Sequence, residues 1–598
     1  MEIDSNEQKF INSSLGKNLD NNFINEHNTE ENIERELKNA RIETTLSLRK
    51  KKLNDYIFEK RKKYGNQVTD VDVYINIDLV KSTVPPLLIE EFDIYEEKLS
   101  VCHQFFNNDF TLLHGMDFNP DSVKLFIIYK LIKITYEGDK NDIIYDDKYE
   151  GNLKEVFYDL IKIINESKNL KILFGVTTIL VNFLFSSEKL NIEFRKLNGI
   201  WKRFQEITEL KNAEINDNII KIMINIYVDL PLVGKEYILS NYSRYIKQIL
   251  SNYLKVFDNE CKSESINLEL YETGINLIKR LINNENNEIK KENDLDVVVK
   301  LKYLYYDLVK MFTTTVSWII NETSKDKIKI FEFINKLLET FSAIAKYANE
   351  ETYEMKEFQD AYFVSSICSL TKIFILNKNQ ELEKKITMDI LIEIYNFLGL
   401  LFSFNSNITE IYCQNKIIIL TQELIQIIGL KNQILYFKIV FFLSNYAENQ
   451  VRCSEVFEDN VILLSLKQYS SDNINDNHNC YNLFSLLENA FKMGDQNCKE
   501  IIINNFTYFL KERIIILSEY IINDKYISSF NQKCKLLLSI IFFLETDLGK
   551  YIGLLNNLII FLQKSNLEEH LIKVQMNAKN CEQEIISNLL SKLKISNK

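Results

Sequence analysis

From about Phe105 onward the chain is a succession of apolar stretches with helical spacing, separated by short breaks rich in Asn, Asp and Lys. The longest apolar stretch, residues 172–185, is interrupted by Gly175, Thr177, Thr178 and Asn182. It falls short of the ~18 uninterrupted apolar residues that a membrane span needs, so a buried helix is predicted there and no membrane insertion is expected. The pattern continues to the end, where YFLKERIIILSEYII and LLLSIIFFL still read as helices. Residues 1–34 differ. They are polar, acidic and Asn-rich without any period, and are expected to be disordered because they bury too little surface to offset the entropy of ordering. Residues 35–63 are basic, and residues 64–104, broken at Val84, Pro85 and Pro86, are expected to be a tether. The body is then predicted as helical repeats over 105–503, with further helical repeats and a cap over 504–598.

A weak repeat runs through the body. Apolar strings ending in Asn recur as TTILVN at Asn182, KIMIN at Asn225, SWIIN at Asn321 and FFLSN at Asn445. Their separations of 43, 96 and 124 residues are about one, two and three periods of 41 to 48, within the armadillo and HEAT range. Only four prolines and 14 glycines occur in 598 residues, which suits helices joined by short turns and disfavours a sheet-rich fold. The expected fold is all-α: a right-handed superhelical solenoid of armadillo- or HEAT-like repeats with a disordered N-terminal arm. The nine cysteines are scattered without a C-x-x-C pair and read as reduced core residues. The N-terminus lacks the basic-then-apolar order of a secretory signal.

Charge changes this picture at one place. Residues 35–63 hold eleven Lys or Arg against four Asp or Glu, a local +7 in a chain whose total is −12. Most such runs are solvated helix faces or simple nuclear localisation signals. Here Lys38 and Arg41 are followed by Leu46 and Leu48, then Arg49, Lys50 and Lys52, then Lys60, Arg61, Lys62 and Lys63. That order resembles the importin-β-binding segment of the importin-α family. The resemblance implies an adaptor of nuclear protein import that shuttles between cytoplasm and nucleus, with an importin-β-like receptor bound by the basic segment. It also implies cargo proteins held through Lys/Arg-rich signals in an acidic groove, and Lys60 to Lys63 folding back into that groove when the receptor is absent.

In that family an aromatic residue and an Asn four positions later line the groove, the Asn holding the cargo backbone and the rings flanking its cationic stems. The resemblance carries these roles onto Asn182, Asn225, Trp318, Asn321, Phe441 and Asn445. Asp229, four residues after Asn225, takes the place of the acid that pairs with a cargo lysine. Phe441 keeps the aromatic spacing to Asn445, whereas Lys221 and Thr178 stand where rings would precede Asn225 and Asn182, and Trp318 lies three residues before Asn321. Each of these residues also has a plain structural reading as core or exposed helix surface.

No phosphate-binding glycine loop, nucleophile elbow or zinc spacing occurs, so neither catalysis, a cofactor nor a metal is expected. The acidic body disfavours direct nucleic-acid binding. Two alternatives to the import adaptor stay open: an armadillo-type interaction scaffold that does not read cargo signals, and a helical repeat protein whose basic run is only its own nuclear signal.

Overall fold

The computed structural model describes residues 74–91, 99–136, 150–197, 199–229, 243–260, 267–282, 301–321, 327–347, 356–376, 381–403, 411–412, 414–428, 431–448, 453–473, 476–520, 527–546, 548–577 and 582–595. The acidic tail and the basic segment lie outside these residues. Among the described residues there is no strand, and no helix is long and apolar enough to cross a membrane. The protein is an all-α solenoid.

The polar breaks of the sequence are the helix caps. The Asn169 side chain accepts from Lys171 N, that of Ser187 from Leu190 N, that of Asn432 from Leu435 N and that of Asp459 from Val461 N and Ile462 N. Each satisfies backbone donors that the first helical turn leaves without an internal partner. Asparagine also serves where glycine is scarce: Asn76, Asn108 and Asn566 hold positive φ values of 56°, 61° and 57°, a conformation asparagine tolerates better than most side chains.

The chain divides into two compact units, one comprising residues up to 196 together with 225–234, the other the remainder. In the first unit, α1 (Ile77–Ser82), α2 (Pro86–Glu91) and α3 (Leu99–Phe106) precede α4 (Pro120–Tyr136), α5 (Glu150–Glu166), α6 (Leu170–Ser186) and α7 (Glu188–Arg195). Helix α1 packs on α4 and α4 on α6, while α3 packs on α5. The body therefore begins earlier than the expected tether allows. Ile75, Ile77, Val80, Val84 and Leu88 are buried, and the Pro85-Pro86 breaker separates two helices, with Pro86 at the first helical position that needs no amide proton. The predicted buried helix at 172–185 is α6.

The second unit is built from two layers. One contains α8 (Ile200–Thr208), α10 (Ser243–Glu260), α12 (Tyr305–Ile320), α14 (Ala361–Leu376), α16 (Ile417–Ile428) and α19 (Asn460–Asp472). The other contains α11 (Leu268–Ile282), α13 (Lys327–Tyr347), α15 (Glu381–Phe402), α17 (Gln433–Tyr446) and α20 (Asn477–Met493). Every helix packs on the next of its own layer. Helix α9 (Ala213–Asp229) is divided between the units after Ile224. The short α18 (Cys453–Glu458) precedes α19 in sequence. Phenylalanines close the space between the layers: the Phe341 ring lies 5.3 Å from Phe358 and 5.5 Å from Phe363, and Phe397 lies 5.3 Å from Phe358. Such offset and edge contacts add about 0.5–1.5 kcal/mol each beyond simple burial. Cys102, Cys368, Cys453, Cys480, Cys498 and Cys534 are free and buried, as reduced core residues should be.

The unit ends with α21 (Gln496–Tyr520), α22 (Ile527–Thr546), α23 (Leu548–Gln563), α24 (Leu567–Asn577) and α25 (Gln583–Ile595), where α22 packs on α21, α23 and α25. Lys533 of α22 is only 2% exposed. Its ammonium donates to Ser529 Oγ at 2.7 Å and lies 4.2 Å from the Phe484 ring centre, with Arg513, Cys480, Cys534 and Glu488 the charged or titratable groups around it. Burial, reinforced by Arg513, pushes Lys533 down to about 8 from an ordinary 10.5. The folded state thus disfavours the proton, a penalty complete below pH 8 that fades as pH rises towards 10.5. Lys533→Met is expected to raise the melting temperature at pH 7, by an amount corresponding to a few kcal/mol, at about 1.4 kcal/mol for each unit of displacement. Thermal melts from pH 7 to 10.5 check this, because the difference between the two proteins should shrink across that window.

Candidate functional site

A groove of about 690 Å³ opens along the second layer of the second unit, crossing α11, α13, α15, α17 and α20. Its lining follows helical spacing. Helix α13 supplies Glu339, Ser342, Ala343 and Lys346, helix α15 supplies Glu393, Asn396 and Leu400, and helix α17 supplies Phe437, Lys438 and Phe441. Positions three, four and seven apart share one helix face, so α13, α15 and α17 each present a short stripe to the same channel, the aromatic one being that of α17. Lys279 comes from α11, and Tyr481 and Asn482 from α20. The groove is not the acidic one that the family resemblance implies: three lysines and two glutamates line it.

Two of these five charges, Lys279 and Glu339, are paired across a helix seam that carries two further ion pairs outside the lining. Lys279 pairs with Glu339, Lys336 pairs with Glu272, and Lys329 lies 3.3 Å from Glu269, all between α11 and α13. Lys438 differs. Its ammonium donates to a neutral oxygen, Asn396 Oδ1, at 2.7 Å, and the Asn396 amide donates in turn to Glu393 Oε1 at 3.0 Å. Burial pushes the Lys438 ammonium below its ordinary value, opposed by the Glu393 carboxylate. Ser342 is 5% exposed, and its Oγ has no hydrogen-bond partner among the described residues. Tyr481, 58% exposed, stands at the α20 end of the lining.

The recurring asparagines hold successive helices together. Asn182 donates its amide to Thr135 Oγ1 at 2.8 Å, Asn225 to Val181 O at 2.8 Å and Asn445 to Gly399 O at 2.7 Å. Donor and acceptor are 47, 44 and 46 residues apart, which is the period seen in the sequence. A helical carbonyl has a second lone pair, so it accepts such a side-chain donor while keeping its own helix bond. Gly399 O does this, also accepting from Ser403 N at 3.2 Å. Asn182 is 6% exposed, while Asn225 and Asn445 are half-buried.

Phe441 and Asn445 of α17 are brought together against Gly399 of α15. The Phe441 ring lies where a side chain at Gly399 would be, since a Cβ there would come within 2.6 Å of Cε1. Phe441 lines the groove as well. SWIIN does not join the other three strings. It lies on α12, where Trp318 sits 5.8 Å from the Phe257 ring and Asn321 is the exposed residue that ends the helix. In an Asn-rich chain an apolar string followed by Asn arises on either layer, and only packing separates them. Lys221 is ion-paired at 2.7 Å with Asp217, so its charge is compensated within α9. Asp229 is the last residue of α9, and its side chain lies outside the described residues.

Sequence reading missed three members of the asparagine series. Asn252 donates to Thr208 Oγ1 at 3.1 Å, Asn482 to Phe437 O at 3.5 Å and Asn489 to Ser444 O at 3.0 Å. Stepping 44 residues from Asn445 leads directly to Asn489. Phe437, four residues before Phe441, was equally within reach of helical spacing, whereas Asn396 and Ser342 carry no sequence signal.

No family model matches the chain, and no curated protein matches it. Among solved structures, one described as "A conserved phosphorylation switch controls the interaction between cadherin and beta-catenin in vitro and in vivo" is similar over 87% of this chain and 99% of the other, at 11% identity and a TM-score of 0.40. By its own packing, the chain is an all-α solenoid of stacked helical repeats.

Proposed function

We propose that this protein is an interaction scaffold that holds an extended peptide segment of a partner protein along the groove of its second unit. The observation that carries the reading is the lining itself: five successive helices of one layer each contribute side chains to one continuous channel. Repeat stacking produces such elongated surfaces, and an extended chain can touch one repeat after another along them. Phe437, Phe441 and Tyr481 supply aromatic surface, which gives large contact area at small entropic expense. Peptides selected by display on the full-length chain test the reading. Phe437→Ala and Tyr481→Ala should each weaken a selected peptide by roughly 10-fold, equivalent to about 1.4 kcal/mol of binding energy. Selected peptides indifferent to both changes would place recognition elsewhere.

A second reading, the import adaptor, is favoured by one observation, the ordered basic and aliphatic positions from Lys38 to Lys63. In it the same solenoid is the cargo-bearing body, and residues 35–63 are the handle taken by an importin-β-like receptor. The two readings share the scaffold and differ in the receptor and in the charge of the peptide that the groove accepts.

A further inference from the structure

The charge of the groove runs against the charge of the protein. The chain totals −12, yet the groove lining carries three ammonium groups and two carboxylates. Lys279 is neutralised by Glu339 across the α11–α13 seam. Lys438 is held in a half-buried position by the neutral Asn396 amide, which reaches Glu393 on its other side. The arrangement keeps a cation oriented in the groove without closing it into a direct ion pair. A half-buried ammonium bonded to a neutral oxygen gains most from an incoming anion, because water screens it less than it screens an exposed lysine. Ser342 adds an independent indication. Its hydroxyl lines the same groove, is almost fully buried and has no hydrogen-bond partner among the described residues, and a buried polar group without a partner is one that a ligand can satisfy.

We propose that the groove takes an extended segment of a partner protein rich in aspartate or glutamate, with a carboxylate of that segment on Lys438 and a polar group of the same segment on Ser342 Oγ. The inference rests on the peptide-scaffold reading and narrows it. It runs opposite to a Lys/Arg-rich cargo, because a cationic stem beside Lys438 would meet like charge. Tyr481 at the α20 end offers a ring against which an apolar residue of the segment can pack.

Three fluorescent dodecapeptides test it on the full-length protein by anisotropy at physiological ionic strength: leucine and tyrosine alternating with glutamate, with glutamine or with lysine. The glutamate peptide should bind roughly 10-fold or more tightly than the glutamine peptide, the gain of one charge-assisted hydrogen bond. Lys438→Met should abolish that advantage, and Lys438→Arg should keep it. Ser342→Ala should weaken the glutamate and glutamine peptides alike. A lysine peptide that binds more tightly than the glutamate peptide, or a Lys438→Met variant that retains the glutamate advantage, would overturn the inference. If the glutamine peptide binds and loses affinity in Tyr481→Ala while glutamate adds nothing, the acidic inference fails and the groove reading stands. If no peptide binds in a Tyr481-dependent way, the groove reading itself fails. Circular dichroism and melting of each variant identify any loss that comes from misfolding.

Discussion

Gly399→Ala should destabilise the second unit, and the same substitution should become stabilising once Phe441 is replaced by Ala. A methyl group on Gly399 would intrude on the Phe441 ring, and that ring sits on the seam between α15 and α17. Overpacking of this kind costs about 1–3 kcal/mol. Against it stands the helix propensity of alanine over glycine, about 1 kcal/mol in a helix interior. With the ring present the clash outweighs propensity. With the ring removed only propensity remains, so the sign reverses. Urea melts of the four proteins of this cycle measure the coupling, and additive effects would show that the ring and the glycine do not meet. Asn445→Ala adds a second measurement on the same seam. It removes the amide bond to Gly399 O and should cost about 0.5–1.5 kcal/mol in the protein alone. A residue reserved for a bound peptide would leave that melt unmoved, so the experiment tells a seam asparagine from a ligand-holding one.

Changing Arg49, Lys50 and Lys52 together to Glu should abolish binding to importin-β. The expectation belongs to the import-adaptor reading, in which these three side chains form the centre of the receptor-bound segment. Each charge-assisted hydrogen bond removed is worth ~1.5–3 kcal/mol, and reversal adds repulsion where attraction stood. Together the three exceed ~4 kcal/mol, a drop of about a thousandfold or more. A pull-down with the wild-type and triple-variant chains gives the answer. Equal capture of both would remove the receptor from the account and leave the interaction scaffold, whose groove chemistry does not depend on residues 35–63.

The two expectations sit on different parts of the chain and on different kinds of information. The receptor segment is legible as a linear pattern, because a peptide that is bound by another protein is recognised by side-chain order along its length. The seam is not linear. Gly399 and Phe441 are 42 residues apart, and nothing in either neighbourhood announces that one was left small to receive the other.

Fold class was written plainly in this sequence. Scarce proline and glycine, apolar spacing suited to helices, and polar Asn, Ser and Asp breaks that became the caps of α6, α7, α17 and α19 are local properties, and local hydrogen bonding decides them. The repeat period was legible for a related reason, since Asn182, Asn225 and Asn445 each reach a helix 44 to 47 residues earlier and the spacing is therefore built into the chain. What those asparagines do was decided only in three dimensions, where each amide meets a neighbouring helix. The layer to which Trp318 and Asn321 belong was likewise settled by packing, because a short apolar string reads the same on either layer. The groove lay furthest from sequence. Lys438, Asn396 and Ser342 occupy three different helices, and their partners, burial and shared channel exist only once those helices are stacked, since charge pairing and desolvation depend on distances that a linear chain does not contain.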